Sequence, residues 1–482
     1  MDKLSTEFVL YSIVCLPLLT ATLVYLCSVK THGFISLVGS LLTFYVIILI
    51  YFRYKESGFI KLANFAIEPI GLVLGIISSG LWFVTNLYSF SYLKSNPEIN
   101  SGRFYGFMAL AIFCTILIAM SSSILLLFIA YEFLTIFTYP LVANTGSERE
   151  RKAASFYLLF LLGSSFLLFF PAIILIVSSN IPEFIIGGFA EQKFNSSTTL
   201  LLFILIVYGV GKAAIVPVHL WLPKSMVAPV PVSSILHAVA VVKSGMIIIL
   251  KFMVYGFGID YLLDSAHYLS TNYNIITIMA VISVIVSSII AIKQKTIKKL
   301  LAYSTINQLS LCLLTASILT PEAINASLIQ VISHALAKIT LFFAAGYVYC
   351  NSRITEIGDY KGLGKKMPLT MAIFTIAALS VIGTPIFAGF ISKMFIIKAA
   401  LKGDNFMVVA VLIISLMASS YYFMRVISFI YCDKFKVSNR IVYKEELSSS
   451  MLLALILTVF LVVSMFLYID CLGNLIGTIN YG

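Results

Sequence analysis

The stretch Tyr208-Gly-Val-Gly-Lys-Ala-Ala-Ile-Val-Pro217-Val-His-Leu-Trp-Leu-Pro223 lies inside an apolar run, yet it holds two glycines, two prolines, a lysine and a histidine. A second stretch, Ser380-Val-Ile-Gly-Thr-Pro385-Ile-Phe-Ala-Gly-Phe-Ile-Ser-Lys393, repeats the combination about five apolar segments later. A proline in a helix interior removes a hydrogen bond and bends the chain. In hydrocarbon the freed backbone groups must be satisfied by protein or water. Two interrupted helices at matching positions of two halves are the sequence mark of an inverted-repeat transporter with its site near the bilayer midplane. Glycine and proline are also common in ordinary membrane helices. The lysine beside each break, Lys212 and Lys393, favours the repeat reading, with Pro217 and Pro385 as the helix breaks.

The surrounding composition demands a membrane. Of 482 residues, 60% are hydrophobic and 11% charged, with a mean hydropathy of +1.04; a soluble globular chain carries roughly 25% charged residues. That excludes a water-soluble enzyme, a disordered chain and a nucleic-acid binder. One crossing needs ~20 mostly apolar residues. By that length and the charged or Gly/Pro/Asn breaks, fourteen spans are expected at 8–29, 33–52, 69–92, 104–121, 123–143, 154–179, 199–223, 230–257, 273–293, 297–318, 322–350, 369–400, 405–431 and 449–472. The division at Ser121-Ser122-Ser123 is forced by the length of the apolar stretch around it. The expected fold is an all-α polytopic membrane protein of about 14 transmembrane helices, with two inverted five-helix repeats and discontinuous seventh and twelfth helices. The expected units are 1–103 (three N-terminal helices), 104–257 and 258–431 (the repeats) and 432–482 (the last helix).

The formal net charge is +12. With the N-terminus outside, loops on the inner side hold 19 Lys and Arg, those on the outer side 7, and six lie within spans. Cationic loops face the cytoplasm, so both termini are expected outside it, as in a bacterial inner membrane. The seven cysteines show no CxxC spacing and most lie in apolar runs, which makes them small hydrophobes. No metal site, cofactor or nucleotide-binding loop is visible.

The intramembrane ionisable residues bear on function: Glu132, Lys212, His237, Lys243, His334, Lys338 and Lys393. A charge at a helix centre costs ~2.5–3.5 kcal/mol on the gentlest scale. Four lysines therefore cost on the order of 10 kcal/mol before compensation, and must pair, face a wet cavity or be partly neutral. His334 and Lys338 are four apart and share a helix face. His237 and Lys243 are six apart and point in different directions. Lys251, Lys398 and Arg425 sit nearer span ends and are expected to snorkel to headgroups; Lys224 is expected to be a topology charge. His219 fits a structural hydrogen bond as well as proton transfer. Ser304, Thr305, Asn307, Gln308 and Ser310 suit either water or helix–helix hydrogen bonds.

These residues are embedded in recognisable motifs. Leu220-Trp-Leu-Pro-Lys-Ser-Met-Val-Ala-Pro-Val-Pro-Val-Ser-Ser-Ile-Leu-His-Ala-Val-Ala-Val-Val-Lys-Ser-Gly245 resembles the signature of the antiporter-like subunits shared by respiratory complex I, Mrp-type cation/proton antiporters and membrane-bound hydrogenases. Ser333-His-Ala-Leu-Ala-Lys338 resembles the family's HAxxK helix, and Lys361-Gly-Leu-Gly-Lys-Lys-Met-Pro368 with Gly389-Phe-Ile-Ser-Lys393 its twelfth-helix region. The resemblance runs from about Gly102 to Lys393. It implies that Glu132 pairs with Lys212, that His237 and Lys243 are an eighth-helix pair, that Lys338 is the central lysine beside His334, and that Lys393 is the exit residue. Lys224 stands where many members carry an acid, and the chain lacks the C-terminal extension of the largest members. By length and by Lys393, the chain resembles the D-type member of the Mrp antiporters most.

The resemblance implies a proton-translocating subunit without catalytic chemistry of its own. Its partners would be other membrane subunits, the bilayer, protons and an exchanged Na+ or K+. The alternatives are a membrane subunit of an NADH:quinone oxidoreductase and a proton-coupled transporter of an organic solute. A third is a structural subunit whose buried charges only lock helices together.

Overall fold

The computed structural model describes residues 3–267, 274–432 and 449–481. Lys434, Lys436, Arg440 and Lys444, used in the orientation count, lie outside the described residues. Nearly all of the described chain is helical. Among the described residues, the exception to an all-α reading is a small antiparallel hairpin, Ile60–Leu62 with Phe65–Ile67, that joins the second and third helices.

Among the described residues, eleven helices are long and apolar enough to cross a membrane, not fourteen. The three expected spans that fall short do so for physical reasons. The seventh is cut into Ser196–Gly209, a turn at Gly211–Ala213 and a short helix Trp221–Lys224. The twelfth is cut into Pro368–Ile382 and Ala388–Lys402. The tenth, Ile297–Ala316, is an unbroken helix of 20 residues, but Lys298, Lys299 and its polar residues lower its hydropathy. The discontinuous seventh and twelfth helices are thus present where the Gly/Pro stretches lie.

Helix ends follow local chemistry. The Ser121–Ser123 turn separates Ser101–Met120 from Ile124–Val142, and the Ser123 hydroxyl accepts from the Leu126 N–H. Asn100, Ser147, Asn195, Asn274, Thr320 and Asn405 cap other helices in the same manner; such side chains satisfy backbone donors that a helix start leaves orphaned. Among the described residues, three π-helical segments interrupt otherwise α-helical spans: Ser165–Phe169, Ile235–Val239 and Phe252–Phe257.

The eighth helix, Val230–Phe257, and the eleventh, Pro321–Ser352, form the centre and are wholly buried over their most apolar windows. The first and second helices, Lys3–Leu26 and His32–Ser57, expose Leu26, Phe34 and Tyr45 on the periphery. Close approach requires small residues: a Cβ on Gly245 of the eighth helix would lie 2.4 Å from Ala213 N, so the broken seventh span presses directly on it.

Candidate functional site

The seven ionisable residues are all buried. They form two groups joined through the eighth helix.

The first group is Glu132 and Lys212. The kink at 210–214 turns Lys212 onto the fifth helix, Ile124–Val142, where its ammonium donates to Tyr131 O at 2.7 Å and to Thr135 Oγ1 at 2.5 Å. It also lies 3.2 Å from the centre of the Tyr131 ring. Glu132 does not touch it: neither carboxylate oxygen has a hydrogen-bond partner, and the Lys212 charge acts on it through space. Helix geometry explains this, because Tyr131 and Thr135 share a face and Glu132 is rotated about 100° from it. The expected contact pair is a through-space pair.

The second group is His237, Lys243, His334, Lys338 and Lys393. Lys243 of the eighth helix meets His334 Nδ1 of the eleventh in direct contact and reaches back to His237 O at 3.4 Å. An ammonium only donates, so a charged Lys243 places the His334 proton on Nε2. The His237 ring lies 5.0 Å from that of Phe342. His334 and Lys338 share a face but serve different neighbours: Lys338 donates to Leu301 O at 3.0 Å and contacts Ser304 Oγ on the tenth helix. His334 is within electrostatic reach of Lys243, Lys338, His237 and Lys393, which makes it the hub of the group. Lys393 donates to Val381 O at 2.5 Å, across the break in the twelfth span. Beside it, Ser333 Oγ donates to Ser392 Oγ at 3.1 Å and ties the eleventh helix to Ala388–Lys402.

The rings of His237 and His219 have no hydrogen-bond partner on either nitrogen, and His334 has none on Nε2. His219 rests against Tyr303, ring centres 6.3 Å apart. Buried polar groups without a protein partner take up ordered water. Of the tenth-helix residues, Ser304, Asn307 and Gln308 make contacts between helices. Ser304 serves Lys338, while Asn307 donates to Ser288 Oγ at 2.8 Å and Gln330 Nε2 donates to Gln308 Oε1 at 2.8 Å, linking helices.

One snorkelling expectation is overturned. Lys251 is fully buried and forms an ion pair with Glu68 at 2.6 Å. The apolar residues on both sides of it, Ile247–Leu250 and Phe252–Val254, were the signal that it lies inside the span. Arg425 donates to Ile292 O at 2.8 Å and to Gln294 O at 2.7 Å, closing the end of the ninth helix, Ile275–Ile292. Lys224 lies 3.3 Å from the centre of the Phe156 ring. It lines a cavity of about 1010 Å³ with Arg149, Glu150, Lys298 and Tyr303. Tyr303 directly precedes Ser304, the partner of Lys338, along the tenth helix.

A polytopic helical membrane protein with two broken helices and a buried basic row defines a class, the ion-translocating membrane subunits. Residues 121–420 match the family described as NADH:quinone oxidoreductase/Mrp antiporter, transmembrane, and the chain belongs to that family. It is 28% identical to NADH-quinone oxidoreductase subunit N of Desulforudis audaxviator over 367 residues, 75% of this chain and 71% of that protein. It is 29% identical to NADH-ubiquinone oxidoreductase chain 5 of Podospora anserina over 344 residues, 70% of this chain and 50% of that one, so the match spans about half the length of the chain 5 relative. Two solved complexes contain chains of the same fold. One is the Mrp complex from Dietzia, with a TM-score of 0.84 at 14% identity, covering 99% of this chain and 97% of that one. The other is the membrane-bound sulfane sulfur reductase, an archaeal respiratory membrane complex, with a TM-score of 0.80 at 22% identity, covering 98% and 96%.

Proposed function

We propose that the chain is a proton-translocating membrane subunit of a multisubunit cation/proton antiporter. Protons would pass from Glu132 and Lys212 to His237 and Lys243, on to His334 and Lys338, and out by Lys393. The observation that carries this reading is the Lys243–His334 contact. Two basic groups meeting in a dry interior share a proton more favourably than they hold one each, since like charges repel strongly there. Such a pair passes a proton in either direction with small movement. The unpartnered atoms of Glu132, His237 and His334 are those that connecting water would engage. Glu132 near Lys212 favours the charged ammonium, and moving them apart pushes the proton onward.

Residues 104–257 and 258–431 would be the two inverted repeats, each with its fourth helix broken. With Lys251 inside its span, the bias of 19 inner against 6 outer basic residues supports a cytoplasmic-membrane location of bacterial type, with both termini on the non-cytoplasmic side. The kinship to subunit N and chain 5 supports a second reading, a membrane subunit of a redox complex of the NADH:quinone oxidoreductase kind.

The decisive experiment is proton flux, read with a pH-sensitive dye in vesicles carrying the assembled complex. Lys212→Ala should abolish flux while leaving assembly intact; undiminished flux would defeat the path. Identifying the co-purifying subunits separates the readings: small membrane proteins alone mean an antiporter, flavin or iron–sulfur proteins a redox pump.

A further inference from the structure

Lys251 is fully buried, and the hydrogen-bonding atoms around its ammonium are all oxygens. Nζ lies 2.6 Å from Glu68 Oε1 and donates to Ser121 O at 2.7 Å. It reaches Ile118 O and Ala119 O at 3.4 Å each. These carbonyls are the C-terminal end of the fourth helix, Ser101–Met120, where unpaired acceptors and the helix dipole concentrate negative charge. Glu68 Oε1 has no hydrogen bond of ordinary geometry although it is shut away from solvent, so it holds the ammonium by charge. One carboxylate and three carbonyls around an ion of ammonium size form the oxygen set that replaces the hydration shell of an alkali cation.

Two further observations bear on this cage. A cavity of about 610 Å³ is lined by Pro69, which follows Glu68 in the chain, and by Tyr255, one turn beyond Lys251, while Glu68 and Lys251 themselves stay outside its wall. Tyr54, Lys55, Asn474 and Thr478 supply polar groups to its wall. The π segment Phe252–Phe257 begins at the residue after Lys251. Another π segment, Ile235–Val239, contains His237 of the proposed path. Single-turn π bulges concentrate at functional sites.

We infer that Glu68 and the carbonyls of Ile118, Ala119 and Ser121 form a monovalent-cation site with the Lys251 ammonium as its built-in occupant. An alkali cation takes the cage when the ammonium swings out of it. The displacement exchanges one positive charge for another, so the cage stays neutralised throughout. That this is the counter-ion's site rests on the antiporter reading; the existence of the site does not.

The test uses the assembled complex in detergent, with ²²Na+ and ⁸⁶Rb+ as probes and thermal midpoints in Na+, K+ or choline. Lys251→Ala should bind one probe cation per chain at least tenfold more tightly than the native chain. Its midpoint should rise with Na+ or K+ and not with choline, or it should assemble only when one of those cations is present. Glu68→Gln/Lys251→Ala should lose both effects. Indifference of Lys251→Ala to all three salts, failure to assemble in any of them, or an equal effect in the double variant overturns the site. Binding is read without flux, so loss of the Lys212 path leaves this result standing, and the reverse.

Discussion

Gly383 shows how one residue sets the position of another. Its φ is +94°, and a Cβ there would lie 2.5 Å from Lys393 Cδ and 2.8 Å from Nζ. The glycine therefore both ends Pro368–Ile382 and makes room for the lysine that folds back onto Val381 O. Gly383→Ala should cost about 1–3 kcal/mol by overpacking and displace the ammonium. We expect a lower melting temperature and a proton flux reduced about tenfold, equivalent to ~1.4 kcal/mol. Gly358→Ala, where a Cβ would meet nothing within 4 Å, is the control and should leave both unchanged. The identities of the buried lysines and histidines were legible because each stands alone in an apolar run. Their partners were not. Lys212 turns to Tyr131 and Thr135 rather than to Glu132, a choice made by rotation about the fifth helix and by the backbone kink at 210–214. Glu68 escaped notice because it directly precedes Pro69 at a span boundary, where an acid reads as a solvated end.

At the scale of elements, the two Gly/Pro stretches revealed the breaks in the seventh and twelfth spans, since proline and glycine act on the backbone directly. The π segments left no such trace. They insert a residue without a marked composition, and tertiary packing decides where they form. The broken seventh span depends on its neighbour: Gly245 lets the eighth helix touch Ala213 N and the Lys212 carbonyl carbon, at 2.4 and 2.7 Å from an added Cβ. Gly245→Ala should push the Lys212 segment off the fifth helix. Assembly should survive, because the strain is of the order of 1–3 kcal/mol, while flux falls at least tenfold. An inert Gly245→Ala would mean that the Lys212 position does not limit transport.

At the scale of the whole molecule, the eighth and eleventh helices lie at the centre of the described fold. Their wholly buried surfaces leave no lipid-facing stripe, which is why they read as uniformly apolar runs from sequence and carry the charges in their interior. The two helices meet at Lys243 with His334. If the two act as a single proton-sharing unit, their contributions are not additive. Lys243→Met and His334→Leu should each reduce flux sharply, and the double variant should be no slower than the worse single one. Two isolated sites in series would instead multiply their defects. A double variant whose flux is the product of two independent losses would show that Lys243 and His334 do not share a proton.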